Sequence, residues 1–375
     1  MDKKYSGKQI IKAGERLLDP SFSEDKPAFE KTMDILSYWR FKHEVPLEKA
    51  ENLLKKISPK KDKSAIFAKR LKRSVSIVTK LKRFRDMKLK NMQDIGGCRA
   101  IVSNPKKVEQ IVRDLKKEPQ FKNSAGKVKF KDYINEPKED GYRGYHLIGK
   151  FSDGYGENRS IEFQIRTKLQ HDWATALEIV DLFTGQALKS NQGEAEWSTF
   201  FSAVSGQFAL MESVHLFDAL KEQEQFDAYV KKLSKNESMV KSCNLTKKLE
   251  KKLNVFHKLD AFANSLKIVD GHLQETFVDG YVLLEVNTAK ATVSSTVFKK
   301  EDSKAAEEMY IKLEKKCSGK FESVVALVST TALGGIKKAY PNYFADSTDF
   351  LIHLNMISAS PPIKKQGWFE RAMGF

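Results

Sequence analysis

The sequence predicts an α+β chain: a mixed β-sheet flanked by helices, then a helical segment, then a small β-β-α-β domain. Three observations predict it. Between Arg99 and Arg166 the runs CRAIV, KVKFKDYI, YHLIGKF and SIEFQIR read as short strands, separated by turns bearing Gly, Asn and Asp, with one helix near residues 105–117. Residues 167–268 contain no proline and show sustained 3.6-residue apolar periodicity. After Asp270 and Gly271 the pattern switches back to strands.

In chain order, residues 1–60 read as a helical scaffold, with Phe29, Met33, Ile35, Leu36 and Trp39 forming an apolar stripe and Pro46 marking a break. Residues 61–195 hold the strands and form the core. Residues 196–271 extend the helical pattern through LFDALKEQEQFDAYVKKL and LTKKLEKKLNVFHKLDAFANSL. The region 272–375 opens with strands GYVLLEVN and ATVSSTVF, a helix SKAAEEMYIKLEKK and a strand SVVALVST. It closes with a helical stretch around TALGGIKKAYPNYF and a tail in which Pro361 and Pro362 stop any continuing helix.

Composition narrows the class. With 375 residues, 41% of them hydrophobic, the chain can fill sizeable cores in two or three domains. No run approaches the roughly 18 apolar residues of a membrane span, and the N-terminus lacks the apolar core of a signal peptide, so a cytoplasmic location without membrane contact is expected. Cys98, Cys243 and Cys317 lie far apart with no zinc-ligand spacing, so free thiols and no structural zinc are expected. The formal charge is +17, and Lys61–Lys90 concentrates twelve Lys or Arg against two Asp, a net +10 in thirty residues. A solvated helix face would account for such a run, but apolar residues interrupt it at folded spacings, which favours an anion site.

Four stretches carry residue types suited to phosphate chemistry. In SIEFQIR, Ile161, Phe163 and Ile165 alternate with Glu162, Gln164 and Arg166, so one strand face is apolar and the other polar. That polar face is either solvated or the floor of a site. In MQDIGGCRAIV, Asp94 stands two residues before a Gly-Gly turn and Arg99 follows on a strand. A carboxylate in such a turn beside an arginine suits a magnesium ion next to a phosphate, although Asp-x-Gly turns are also common structural devices. In RLKRSVSIVTK, Lys72, Ser76 and Lys80 recur every four residues and line one face if the stretch is helical. If the helix begins at Ser74 instead, its first-turn N–H groups add to anion binding. In NEPKEDGYRGYHLI, Lys138, Tyr142 and His146 share the four-residue spacing, with glycines at 141 and 144. Tyr142 is placed either to stack on a base or to face the core, and Lys138 with His146 to contact phosphate or ribose.

In order and spacing, RLKRSVSIVTK, DIGGCR, GYRGYH and IEFQIRT with QHDWATALE resemble the synthetase domain of the RelA/SpoT family across roughly residues 60–190. The resemblance implies transfer of the β,γ-diphosphate of ATP to a ribose hydroxyl. By the same resemblance Arg70 stacks on adenine, while Lys72, Ser76, Lys80 and Arg99 bind the ATP phosphates. Asp94 and Glu162 hold Mg2+, and Glu162 also helps deprotonate the attacking hydroxyl. Tyr142, with Lys138, His146, Gln164 and Arg166, forms the acceptor side. The hydrolase constellation of bifunctional members is not matched, because the only His-Asp pair is His171-Asp172, downstream of the synthetase strand.

The stretch LQHDWATALEIVDLFTGQALKS with QGEAEWSTFF resembles the fused toxin–antitoxin branch of that family, known as CapRel, and residues 272–335 resemble its pseudo-zinc-finger antitoxin region. This likeness implies the 3′ CCA end of tRNA as acceptor, with GDP or GTP as the alternative of the alarmone synthetases. It also implies that Tyr340 and Tyr343, a YxxY pair in KKAYPNYFADS, block the adenine pocket. The tethered antitoxin domain would then inhibit the enzyme until a phage protein, by resemblance the capsid protein, releases it.

Overall fold

Alternation along one strand sets the architecture. In the computed structural model, which describes residues 5–19, 26–154, 156–184, 195–256, 259, 280–287, 292–317, 323–329 and 348–362, Ile161, Phe163 and Ile165 are completely buried on one side of the strand Asn158–Thr167. Five strands build the sheet: β1 (Ile66–Leu71), β2 (Gly96–Val102), β3 (Phe130–Asp132), β4 (Tyr145–Ser152) and β5 (Asn158–Thr167). Their order is β1-β2-β5-β4-β3, with β2 and β5 parallel and every other pair antiparallel.

The apolar face of the sheet packs on two helices, α3 (Glu44–Ile57) and α5 (Pro105–Leu115). Cys98, Ala100, Leu147, Phe163 and Ile165 meet Leu47, Ala50, Leu54, Val108 and Ile111 in one core. Residues of the N-terminal helical stretch therefore belong to the sheet's core. Pro46 lies inside the first turn of α3, where a missing N–H costs nothing, so the break falls just before it, at Lys42 and His43. Helix α5 starts where Asn104 accepts from the Lys107 N–H and Pro105 follows.

A second core joins α1 (Gly7–Arg16), α2 (Lys26–Phe41) and α4 (Ser74–Arg83) through Ile10, Leu36, Trp39, Ile77 and Leu81. Beyond β5 follow α6 (Lys168–Thr184), α7 (Ala195–Glu212), α8 (Glu222–Leu233) and α9 (Glu237–Leu253), the helical extension that periodicity predicts. Further on, β6 (Gly280–Asn287), β7 (Thr292–Lys299), α10 (Ser303–Cys317) and β8 (Ser323–Ser329) form an antiparallel sheet of order β7-β6-β8, with Leu283, Tyr310, Cys317 and Val325 in its core. The β-β-α-β pattern is thus present. It touches α2: Lys315 pairs with Asp34 at 3.0 Å, and the Arg40 guanidinium lies 5.2 Å from the centre of the Tyr310 ring.

Two elements depart from the sequence reading. Strand β1 is absent from it, because IFAKRL is short and mixed and becomes a strand only by pairing with β2. Helix α11 (Thr348–Ala359) is likewise unforeseen, and it returns to the helical layer, burying Phe350, Leu354 and Ile357 against α6, α7 and α9. Tyr340 and Tyr343 lie outside the described residues. Among the described residues no helix is long and apolar enough to cross a membrane.

Candidate active site

The polar face of the sheet opposite that core gathers the titratable side chains. Across it, Arg70 and Glu162 flank Gly97, and Arg99, Gln164 and His146 form the next row. A Cβ on Gly97 would meet only the Glu162 carbonyl, at 3.7 Å, so the surface between Arg70 and Glu162 is open.

Lys72 follows β1 and is anchored by its N–H to the Ile95 carbonyl at 2.7 Å. Helix α4 begins two residues later, at Ser74, so Lys72 stands in the strand-to-helix joint and only Ser76 and Lys80 share the helix. Arg73, the residue before it, is extended and gives the first turn no side-chain cap. Arg40, itself buried, braces the joint by donating to the Lys72 carbonyl at 2.8 Å and to Ser74 Oγ at 3.3 Å. Sequence reading missed Arg40, although an arginine one turn beyond Leu36 on the buried face of α2 is itself a signal.

Both lysines converge on one oxygen. Asp94 Oδ2 accepts from Lys72 Nζ at 3.0 Å and from Lys80 Nζ at 2.8 Å. Burial would raise the Asp94 carboxyl, but the two ammonium groups outweigh it and hold it below the usual range. Burial lowers the Lys72 ammonium, with Asp94 opposing. Asp94 Oδ1 is buried and has no hydrogen-bond partner.

Glu162 is equally occupied: Oε1 is 3.0 Å from His146 Nδ1, and Oε2 accepts from Gln164 Nε2 at 2.7 Å. Burial alone would raise this carboxyl, yet His146 and Gln164, aided by Lys72, hold it well below the usual range. An ionised carboxylate only accepts, so His146 carries its proton on Nδ1, and in the neutral ring Nε2 accepts from the Tyr142 hydroxyl, 2.7 Å away. The two carboxylates lie within electrostatic reach of one another.

Tyr142 stands edge-on to Tyr133, His146 and Trp173, and Lys138 Nζ lies 4.7 Å from the ring centres of Tyr133 and Tyr142. Its loop turns at Gly141, whose φ is +91° and whose carbonyl accepts from Ser205 Oγ at 2.5 Å. A Cβ there would sit 2.8 Å from the Ser202 Cα. Gly141→Ala is therefore expected to cost about 2 kcal/mol or more from left-handed strain and overlap with α7, and an unchanged melting temperature would contradict this packing.

Arg99 and Arg166 share the polar face but are buried under α6. Burial, then Arg166 and Arg70, lower the Arg99 guanidinium to about 9. Arg166 Nη2 donates to His171 Nδ1 at 2.7 Å, while burial and then the two arginines keep His171 neutral. Trp173 donates from Nε1 to the Phe201 carbonyl at 2.8 Å, a packing role.

Among the described residues no three His, Cys, Asp or Glu side chains cluster as metal ligands. Two carboxylates with one orphaned buried oxygen nevertheless fit magnesium, which takes one or two protein carboxylates and completes its shell with phosphate oxygens and water.

Residues 69–179 match the model of the region found in RelA / SpoT proteins. GTP pyrophosphokinase YwaC of Bacillus subtilis (strain 168) is 36% identical over 115 residues, 28% of this chain and 52% of that protein. GTP pyrophosphokinase YjbM of the same strain is 38% identical over 93 residues, 23% of this chain and 41% of that protein. The chain thus spans about half the length of these relatives or less. The solved structure of small alarmone synthetase 1 from Bacillus subtilis bound to its product pppGpp is 23% identical, with TM-score 0.39, over 47% of this chain and 91% of that chain. Small alarmone synthetase 2 from Bacillus subtilis is 24% identical, with TM-score 0.40, over 47% of this chain and 92% of that chain.

Proposed function

We propose that this chain, whose residues 69–179 carry the RelA/SpoT region, is a pyrophosphokinase moving diphosphate from ATP to a ribose hydroxyl at the 3′ CCA end of tRNA. The observation that carries the transfer chemistry is the pairing of Asp94 with Lys72 and Lys80 beside Glu162 with His146 and Gln164. Negative charge gathers on the phosphates as the hydroxyl attacks, and a site of this composition opposes it with fixed cations. Lys72 and Lys80, with Ser76 and Arg70, take the donor phosphates and base. Glu162 accepts the hydrogen of the attacking hydroxyl, and His146 holds that carboxylate in place. Tyr142 and Lys138 line the acceptor side. Magnesium, held by Asp94 and Glu162 when ATP is bound, supplies charge neutralisation.

The tRNA acceptor is supported by the net +10 of Lys61–Lys90, more than one nucleotide requires. A second reading, an alarmone synthetase acting on GDP or GTP, is favoured by the names of the curated relatives.

The C-terminal region is proposed to act as a tethered antitoxin that a phage protein displaces, as in the fused branch the sequence resembles. Supporting this is the contact of α10 with α2, where Tyr310 lies against Arg40, the residue bracing Lys72 and Ser74. The 375-residue chain carrying Tyr340→Ala is expected to label deacylated tRNA from γ-labelled ATP without a trigger, offered in parallel with GDP and GTP. Label on guanine nucleotide alone would replace the tRNA reading with the alarmone reading, and a variant as inactive as the wild type would remove the tyrosine from the switch.

A further inference from the structure

Helix α4 delivers Lys80 to the site and then runs into an exposed segment, Lys82, Arg83, Phe84 and Arg85, where Phe84 is 46% exposed. Its apolar neighbours are absorbed elsewhere: Leu81 and Leu89 are buried in the core shared with α1 and α2, and Met87 packs against it. Phe84 ends the helix with φ −120° and ψ 81° and stays outside that core.

A single exposed phenylalanine is ordinary, but its surroundings are not. The Arg83 guanidinium carbon lies 5.4 Å from the Phe84 ring centre, Lys82 and Arg85 flank it, and Asp86 is the nearest acid in sequence. The patch also adjoins the acceptor side: Arg83 and Lys80 both act electrostatically on Lys138, which lies over Tyr142. Phe84 stands four positions beyond Lys80, about 6 Å along the helix axis. The patch therefore lies about one turn of α4 from Lys80.

An aromatic face among cations, leading outward from a phosphate-binding lysine, suits a partner that alternates π-faces with phosphates. We propose that Phe84, with Lys82, Arg83 and Arg85, is a docking platform for a single-stranded RNA end, the ring stacking on a base adjacent to the nucleotide that receives diphosphate. The proposal rests on the reading that the acceptor is an RNA 3′ end.

The test is fluorescence anisotropy of the 375-residue chain with a short single-stranded ribo-oligonucleotide ending in CCA, beside transfer of label from ATP to tRNA, GDP and GTP by the Tyr340→Ala chain. Phe84→Ala is expected to weaken binding about tenfold or more, as loss of one stacked base does, whereas Phe84→Trp keeps it. Arg83→Gln with Arg85→Gln should lower affinity and flatten the salt dependence. Equal affinity of wild type and Phe84→Ala, or no binding by the wild type, overturns the platform. Loss of binding in Phe84→Ala, with the Tyr340→Ala chain labelling guanine nucleotide and not tRNA, leaves the platform standing and overturns the acceptor. Labelled tRNA with unaltered binding by Phe84→Ala does the reverse.

Discussion

Glu162→Gln is expected to abolish diphosphate transfer, a loss of at least about a thousandfold, while the chain stays folded. The side chain keeps its shape but loses both the charge and one acceptor. Glu162 Oε1 meets the His146 N–H and Oε2 meets the Gln164 amide, so an NH2 group at either position faces another donor. Loss of a base contributes about 10²–10⁴, and loss of a carboxylate toward the metal adds to it. The depressed carboxyl also has a stability signature. Its contribution is fully present above the ordinary glutamate range and is lost as pH falls through the lower folded value. Glu162→Gln should therefore unfold with a flatter pH dependence in acid. With Glu162→Gln placed in the Tyr340→Ala chain and compared with Tyr340→Ala alone in γ-labelled ATP assays, transfer at an equal rate would overturn the proposed chemistry.

Phe350→Ala is expected to destabilise the chain by about 3–5 kcal/mol, as truncation of a buried phenylalanine does. Phe350 is completely buried, with ring centres 5.6 Å from Phe208 and 6.1 Å from Phe201. Leu354 and Ile357 are buried beside it, and Lys168 at the start of α6 pairs with Asp349 at 3.0 Å. Denaturant unfolding measures the cost. Removing everything after residue 347 should be at least as damaging, and a truncated chain with unchanged stability would show that α11 is not part of the helical core. A fragment ending near residue 270 lacks this helix, so a point change such as Tyr340→Ala tests the restraint by the C-terminal region more cleanly than truncation.

Much of the site is legible locally. The alternation of SIEFQIR places Glu162, Gln164 and Arg166 on one face wherever the strand lies, because the period of two follows from the pleat. Asp94, Lys72, Lys80, Tyr142 and His146 stand in short motifs of residue types suited to phosphate chemistry, whose order carries the resemblance to RelA/SpoT synthetases. The β-β-α-β pattern after residue 272 is readable for the same reason.

What local pattern does not carry is which of these groups meet and which are covered. Strand β1 exists through pairing with β2, roughly thirty residues away in sequence. Helix α11 is short, and in TDFLIHLNMISA the buried stripe of Phe350, Leu354 and Ile357 is blurred by apolar residues on its other sides, among them the exposed Ile352. Arg40 braces the joint between β1 and α4 from a helix more than thirty residues upstream. Arg99 and Arg166 look like free cations in sequence, yet α6 closes over them. By itself, then, the sequence determined the periodicities and the motif residues, which depend on neighbours a few positions apart. The tertiary structure alone decided that two lysines share one Asp94 oxygen and that two arginines are covered. Those outcomes depend on side chains distant in sequence being driven into the same dry volume, where each buried charge must find a partner or be offset by the groups around it.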